Sequence, residues 1–235
     1  MNLYNQILNL GGEVKFETVL KIKEGNIVLT KNNEYSAKAI ILATGADSRK
    51  LKIEKEEEFI GKGISYCATC DGNFYKNKLV AVAGSGNTAL EDALYLSNLA
   101  SKVYLISKES TFMDELYAEE LKKKENVEFI YNSHVEKLYG NEKLESIDIK
   151  DNEEKNIHLK VDGLFIAIGK EPKNEIFSDI IDLDEKGYIK TEDGVHTSKE
   201  KIYVAGDARP KLLRQLVTAT SDGAIAATVA IQEMR

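Results

Sequence analysis

The chain has 235 residues, 43% hydrophobic and 30% charged, a balance that fits an ordinary globular protein with sequence enough for one large or two small domains. A formal charge of −7 argues against a nucleic-acid or anionic-membrane surface as the main partner. No apolar run reaches the roughly 18 residues that span a bilayer and the N-terminus lacks a signal-peptide pattern, so a cytoplasmic location without membrane contact is expected.

Residues 4–10 suit a short helix that Gly11 and Gly12 end. Residues 13–30 read as short strands with a turn at Glu24, Gly25 and Asn26, and Asn32 with Asn33 makes a second turn. Ala39, Ile40, Ile41, Leu42 and Ala43 form a continuous apolar run, the pattern of a strand buried on both faces. It stops at Thr44 and Gly45, where glycine lets the backbone leave the sheet close to a ligand. The charged run 50–58 reads as a solvated connector and a domain hinge.

The central stretch begins with Cys67, Ala68, Thr69, Cys70 and Asp71. A strand over 78–83, a glycine turn, a helix over 87–98 and a strand over 102–106 then spell a βαβ unit, with Ala89, Leu90, Ala93, Leu94 and Leu96 as the helix's apolar face. A helix over 115–124 and a strand over 127–131 follow, and 135–138, 146–150 and 156–160 suggest an antiparallel meander. Leu164, Phe165, Ile166, Ala167, Ile168 and Gly169 repeat the earlier apolar run that ends in glycine. Two such exits are expected where a nucleotide domain is interrupted by a second one and then resumed. A buried strand over 201–205 ends in Gly206 and Asp207, and 216–232 reads as a helix of small residues that can pack closely on a sheet or cofactor.

Cys67 and Cys70 are the only cysteines. In a reducing compartment, two thiols at this spacing point to redox or metal chemistry rather than to a structural staple. Zinc would need a second ligand pair, and only the scattered His134, His158 and His196 are at hand, so no metal site is assigned and a redox dithiol is the leading reading over zinc or inert thiols. Such chemistry needs one thiolate to attack and the other to resolve. Asp71, beside Cys70, reads equally as a proton shuttle or, with Gly72, as a turn residue.

Gly84, Ser85, Gly86, Asn87, Thr88 and Ala89 match the glycine turn of nucleotide sites in the context it requires, after a strand and opening a helix; the plainer reading is a tight turn. At the end of the second strand Lys108 could meet a phosphate and Glu109 a ribose hydroxyl. Asp207 could accept bonds from a sugar or ribityl chain, or cap the next segment.

Taken with Ala43 to Ala46, Leu94 to Ser97, Ala167 to Gly169, Ala205 to Ala208, Arg214 and Gln215, these motifs make the chain resemble low-molecular-weight, flavin-dependent thioredoxin reductase, of class II of the pyridine nucleotide-disulfide oxidoreductases, over essentially its whole length. The resemblance implies an α/β fold of two Rossmann-like, three-layer domains: an FAD domain from residues 1–49 and 171–235, and a pyridine-nucleotide domain over 50–170 that carries the dithiol and rotates against the first. It further implies an enzyme, a homodimer, that passes electrons from a donor through FAD and the dithiol to thioredoxin or a similar protein. By the same likeness Cys70 would lie against the flavin, Cys67 would attack the partner disulfide and Asp71 would be the acid/base. Thr44, Gly45, Gly206, Asp207, Arg214, Gln215 and Leu216 would bind FAD, and Gly84, Gly86, Asn87, Thr88 and Lys108 the nucleotide. Two departures qualify it. The chain starts downstream of the family's first strand, glycine turn and helix, which leaves the FAD domain incomplete at its N-terminus and opens the alternative of a flavin-free remnant without activity. The stretch 107–113 also lacks the arginines that clamp a 2′-phosphate, so NADH, or reduced ferredoxin, is expected in place of NADPH.

Overall fold

The computed structural model describes residues 3–112 and 114–235, so Met113, the last position of the arginine-poor stretch, lies outside the described residues. The elements in chain order are α1 (Leu3–Asn9), β1 (Val19–Lys23), β2 (Ile27–Thr30), β3 (Glu34–Ser36), β4 (Ile40–Leu42), β5 (Asp47–Ser48), α2 (Glu56–Phe59), β6 (Ile64–Ser65), α3 (Ala68–Asp71), β7 (Leu79–Ala83), α4 (Asn87–Ser97), β8 (Lys102–Ile106), α5 (Glu115–Lys122), β9 (Val127–Ile130), β10 (Ser133–Tyr139), β11 (Ser146–Asp151), β12 (Asn156–Lys160), β13 (Gly163–Ile166), β14 (Lys170–Glu171), β15 (Ile202–Val204) and α6 (Leu216–Glu233). They fall into two compact units, one of Ser48–Lys170 and one of Met1–Asp47 with Glu171–Arg235.

In the Ser48–Lys170 unit five parallel strands lie in the order β6-β13-β7-β8-β9. The apolar runs of β7 and β13 are buried on both faces, as an all-parallel sheet requires. Pleating sends Val80 and Val82 to one face, against Leu90, Ala93 and Leu96 of α4 and Leu121 of α5. It sends Ala81 and Ala83 to the other face, against Val135 and Leu138 of β10 and Ile147 and Ile149 of β11. The layer opposite the helices is thus the antiparallel sheet β10-β11-β12, so the meander read from sequence forms the third layer.

The charged run 50–58 departs from the solvated reading. Glu56 is 2% exposed and accepts the N–H groups of Leu51 and Lys52 at 3.0 and 2.8 Å and the Tyr66 hydroxyl at 2.8 Å. Three donors offset the desolvation of this carboxylate, which closes the loop ahead of α2 while Phe59 anchors that helix in the core. Composition alone does not separate one buried acid from its solvated neighbours.

In the other unit, β1-β2-β3 form an antiparallel sheet and β4 pairs in parallel with β15, matching Ile40 to Ile202 and Leu42 to Val204. β15 is wholly buried, whereas Ile41 of β4 is 38% exposed, so β4 is covered on one face instead of two. Both strands lead to glycines with φ of +71°, Gly45 and Gly206, a backbone region that glycine enters without strain. Along α6, Ala226 and Ala230 pack on Tyr203 and Ala205, as the run of small residues suggests.

Candidate active site

Edge strand β6 delivers Ser65 and, just beyond it, Cys67, the N-cap of α3. Cys67 and Cys70 are joined by a disulfide, S–S 2.05 Å and Cα–Cα 5.3 Å. The Cys67 sulfur accepts the Cys70 N–H at 3.2 Å, a bond that favours a thiolate at Cys67 once the disulfide opens. Cys70 is exposed and Cys67 half-buried. Ser65 organises the turn: its hydroxyl accepts the Cys67 N–H at 3.1 Å and donates to Asp71 Oδ2 at 2.7 Å. Behind it, Ala68 is fully buried, and a Cβ at Gly72 would lie 2.8 Å from the Tyr95 ring, so small residues let α3 seat on α4.

A second carboxylate stands on that supporting helix. Burial pushes the pKa of Asp92 up from 3.8 to about 7, with the charge of Glu91 adding to the shift and the Ala68 N–H and Lys170 opposing it. No motif marks Ser65, and Asp92 reads from sequence only as an acid near the start of the helix, next to the buried Ala93.

A cavity of about 530 Å³ opens in the same unit, a size that suits a nucleotide. Gly84, Ser85, Gly86 and Thr88 form one wall, and Lys108, Glu109, His134 and Gly169 are among the residues that complete it, while Asn87 does not line it. A Cβ at Gly84 would sit 2.3 Å from the Ala167 carbonyl oxygen and 2.9 Å from the Ala89 Cβ, which is why the turn needs glycine and the helix needs alanine there. Ser107 is fully buried; its hydroxyl bonds Ser85 Oγ at 2.9 Å and accepts the Glu109 N–H at 3.0 Å. This serine pair ties the glycine turn to the end of β8 and is absent from the sequence reading.

In the discontinuous unit, Thr44 and Gly45 follow β4 and Gly206 and Asp207 follow β15, at the ends of neighbouring parallel strands. The Thr44 hydroxyl donates to Asn174 Oδ1 at 2.7 Å, and the buried Asn174 amide donates to the carbonyls of Gly187 and Ala208, so this threonine anchors the strand end. Gln215 caps α6 in a reciprocal box with Thr218, and Leu216 opens the helix. Asp222 accepts the Gly206 N–H at 3.1 Å, Arg209 at 2.9 Å and Lys211 at 2.8 Å. Burial works to raise the Asp222 pKa, but Lys211 and Arg209 outweigh it and hold the carboxyl below its usual range. The Arg214 guanidinium lies over Tyr188, 4.8 Å from the ring centre. Asp207 Oδ1 and Arg214 Nε are buried with no hydrogen-bond partner among the described residues, and Lys211 stands 4.0 Å from the former. Unsatisfied polar atoms at the carboxyl ends of parallel strands are what a polar ligand such as a dinucleotide would complete.

A family model for pyridine nucleotide-disulphide oxidoreductase matches residues 4–223. The chain belongs to this family. Among curated relatives, the thioredoxin reductase of Mycoplasma genitalium is 40% identical over 233 residues, covering 96% of this chain and 74% of that protein. The thioredoxin reductase of Borreliella burgdorferi is 39% identical over 232 residues, covering 96% and 71%. Among solved structures, thioredoxin reductase from Streptococcus pyogenes superposes with a TM-score of 0.88 at 33% identity, covering 98% of this chain and 77% of that one. Within the oxidoreductase family the chain is of the low-molecular-weight thioredoxin reductase type, an enzyme with a flavoprotein fold, and its Rossmann-like α/β architecture agrees with the expected class. The comparisons do not favour the flavin-free remnant.

Proposed function

We propose that this chain passes two electrons from a reduced pyridine nucleotide, by way of FAD, to its Cys67–Cys70 disulfide and from the resulting dithiol to the disulfide of thioredoxin. The observation that carries the reading is the disulfide at the head of α3, with Ser65 holding both its backbone and Asp71, in the same unit as a glycine-turn pocket. When bound, FAD supplies the two-electron relay between nucleotide and disulfide. Thr44, Gly45, Gly206, Asp207, Arg214, Gln215 and Leu216 would hold it, with the Asp207 oxygen that accepts no hydrogen bond among the described residues taking hydroxyl donors of the ribityl chain.

The order of the two sulfurs follows the resemblance, with Cys70 towards the flavin and Cys67 towards the partner. The Cys67 thiolate, favoured by the Cys70 N–H, attacks one partner sulfur and expels the other as a thiolate, with Asp71, held by the Ser65 hydroxyl, as the acid/base beside the pair. The Cys70 thiolate then attacks Cys67, remakes the Cys67–Cys70 bond and releases the reduced partner. The reading includes a cytoplasmic location, where a dithiol can cycle, and a homodimer, supported by the exposed apolar side chains of Leu212, Leu213, Leu216 and Val217. Reduced ferredoxin is the donor to fall back on if the pocket takes no nucleotide.

The test is trapping. A Cys70→Ser variant, reduced and mixed with oxidised thioredoxin, should accumulate a covalent adduct through Cys67 on a non-reducing gel, and Cys67→Ser should not. Absence of an adduct from both folded variants would sink the reading.

A further inference from the structure

The rim of the pocket carries information about which nucleotide it accepts. In a strand, glycine turn, helix and strand succession, the adenosine ribose falls at the end of the second strand, here β8. That end is built rigidly. Ser107 is buried beneath it, its hydroxyl bonded to Ser85 of the glycine turn and to the Glu109 backbone, and the Glu109 carbonyl also accepts the Asn132 N–H at 3.3 Å. The turn that presents the ribose and the residue that meets it are thus fixed to one another through a single serine.

Glu109 lines the cavity, is exposed on its rim, and makes no ion pair or side-chain hydrogen bond among the described residues. A carboxylate at this place can accept bonds from both ribose hydroxyls. A 2′-phosphate set there would instead bring two negative charges against the Glu109 carboxylate. The cations lining the cavity are Lys50 and Lys108, with no arginine among them and with Glu109 and Glu136 on the opposing side of the balance. Lysine is a point charge and lacks the planar fork that grips a phosphate through paired bonds. One neighbouring lysine does not offset a facing carboxylate and the lost ribose bonds, so the rim works by rejection as well as by attraction.

We infer that the pocket selects NADH over NADPH and that Glu109 is the specificity-determining residue, with Ser107 positioning it. The inference rests on the reading that this pocket takes a reduced pyridine nucleotide, and it names which one. Because the Glu109 side chain makes no hydrogen bond or ion pair among the described residues, its substitution leaves those residues' interactions in place.

Calorimetric titration of the full-length holoprotein with NAD⁺ and with NADP⁺ tests it without depending on turnover. The wild type should bind NAD⁺ at least about tenfold more tightly, the factor that about 1.4 kcal/mol produces. Glu109→Gln should weaken NAD⁺ and narrow the gap, and Glu109→Arg should reverse it. Equal or tighter NADP⁺ binding by the wild type, a ratio that neither variant moves, or no binding of either nucleotide would overturn the inference. Dithionite-driven reduction of thioredoxin, measured on the same protein, separates the two levels: it persists where only the nucleotide assignment is wrong and fails where the disulfide reading is wrong.

Discussion

Both units end parallel strands in glycine, yet they fix the residues there by different means. In the Ser48–Lys170 unit the glycine turn follows β7, the middle strand of five, and its shape is dictated by packing: Gly84 against Ala167 and Ala89, with apolar cores on both faces of the sheet. In the discontinuous unit the parallel pair is β4 and β15, and α6 buries only Ala226 and Ala230 along its 18 residues. There the strand end is held by charge, through Asp222 gripping Gly206, Arg209 and Lys211. A close-packed site tolerates loss of a polar group better than a charge-held one, which leaves buried cations without a partner when its acid is removed.

The sharpest way to break this contrast is Asp222→Ala. With the Lys211 side chain 7% exposed and that of Arg209 18% exposed, the variant leaves Arg209 without its carboxylate and Lys211 with only Asp207 at 4.0 Å, and should lose about 3 kcal/mol in denaturant unfolding. NAD⁺ binding in the other unit should survive. A loss under about 1 kcal/mol would show that packing, not charge, holds this unit too.

A smaller effect tests the packed unit. Because burial raises Asp92 to about 7 in the fold, the native state keeps a proton there that the unfolded chain sheds near 3.8. Stability should therefore fall as pH rises across that window and level off above it. Asp92→Asn removes this slope and, above pH 7, should gain about 1–3 kcal/mol after allowance for partial solvent access. Unfolding curves of variant and wild type that run parallel from pH 4 to 8 would contradict the placement.

How much of this was legible in the sequence follows the same division. The βαβ unit read over 78–106 appears as β7, α4 and β8 within a residue at each end, since apolar periodicity and a glycine turn are local signals. So are β12, at 156–160, and α6. What was not legible depends on partners distant in sequence: β6 at the sheet edge beside β13, the buried Glu56, the one-sided cover of β4, and the Ser85–Ser107 link across 22 positions. The Asp222 network escaped for the same reason, because an acid in a small-residue helix gives no sign that Arg209 and Lys211 fold back onto it. Among the motif residues, Asn87 stands off the pocket and the Thr44 hydroxyl is engaged with Asn174, because a motif fixes backbone geometry more firmly than side-chain use.

The most direct test of the account is to follow the oxidation state of Cys67 and Cys70 themselves. The FAD-loaded protein is reduced anaerobically with NADH, quenched with an alkylating agent before and after oxidised thioredoxin is added, and read by mass spectrometry. The account predicts that both cysteines become alkylated on reduction and lose that label as thioredoxin gains thiols. A Cys67–Cys70 bond that stays closed while thioredoxin is reduced would contradict it.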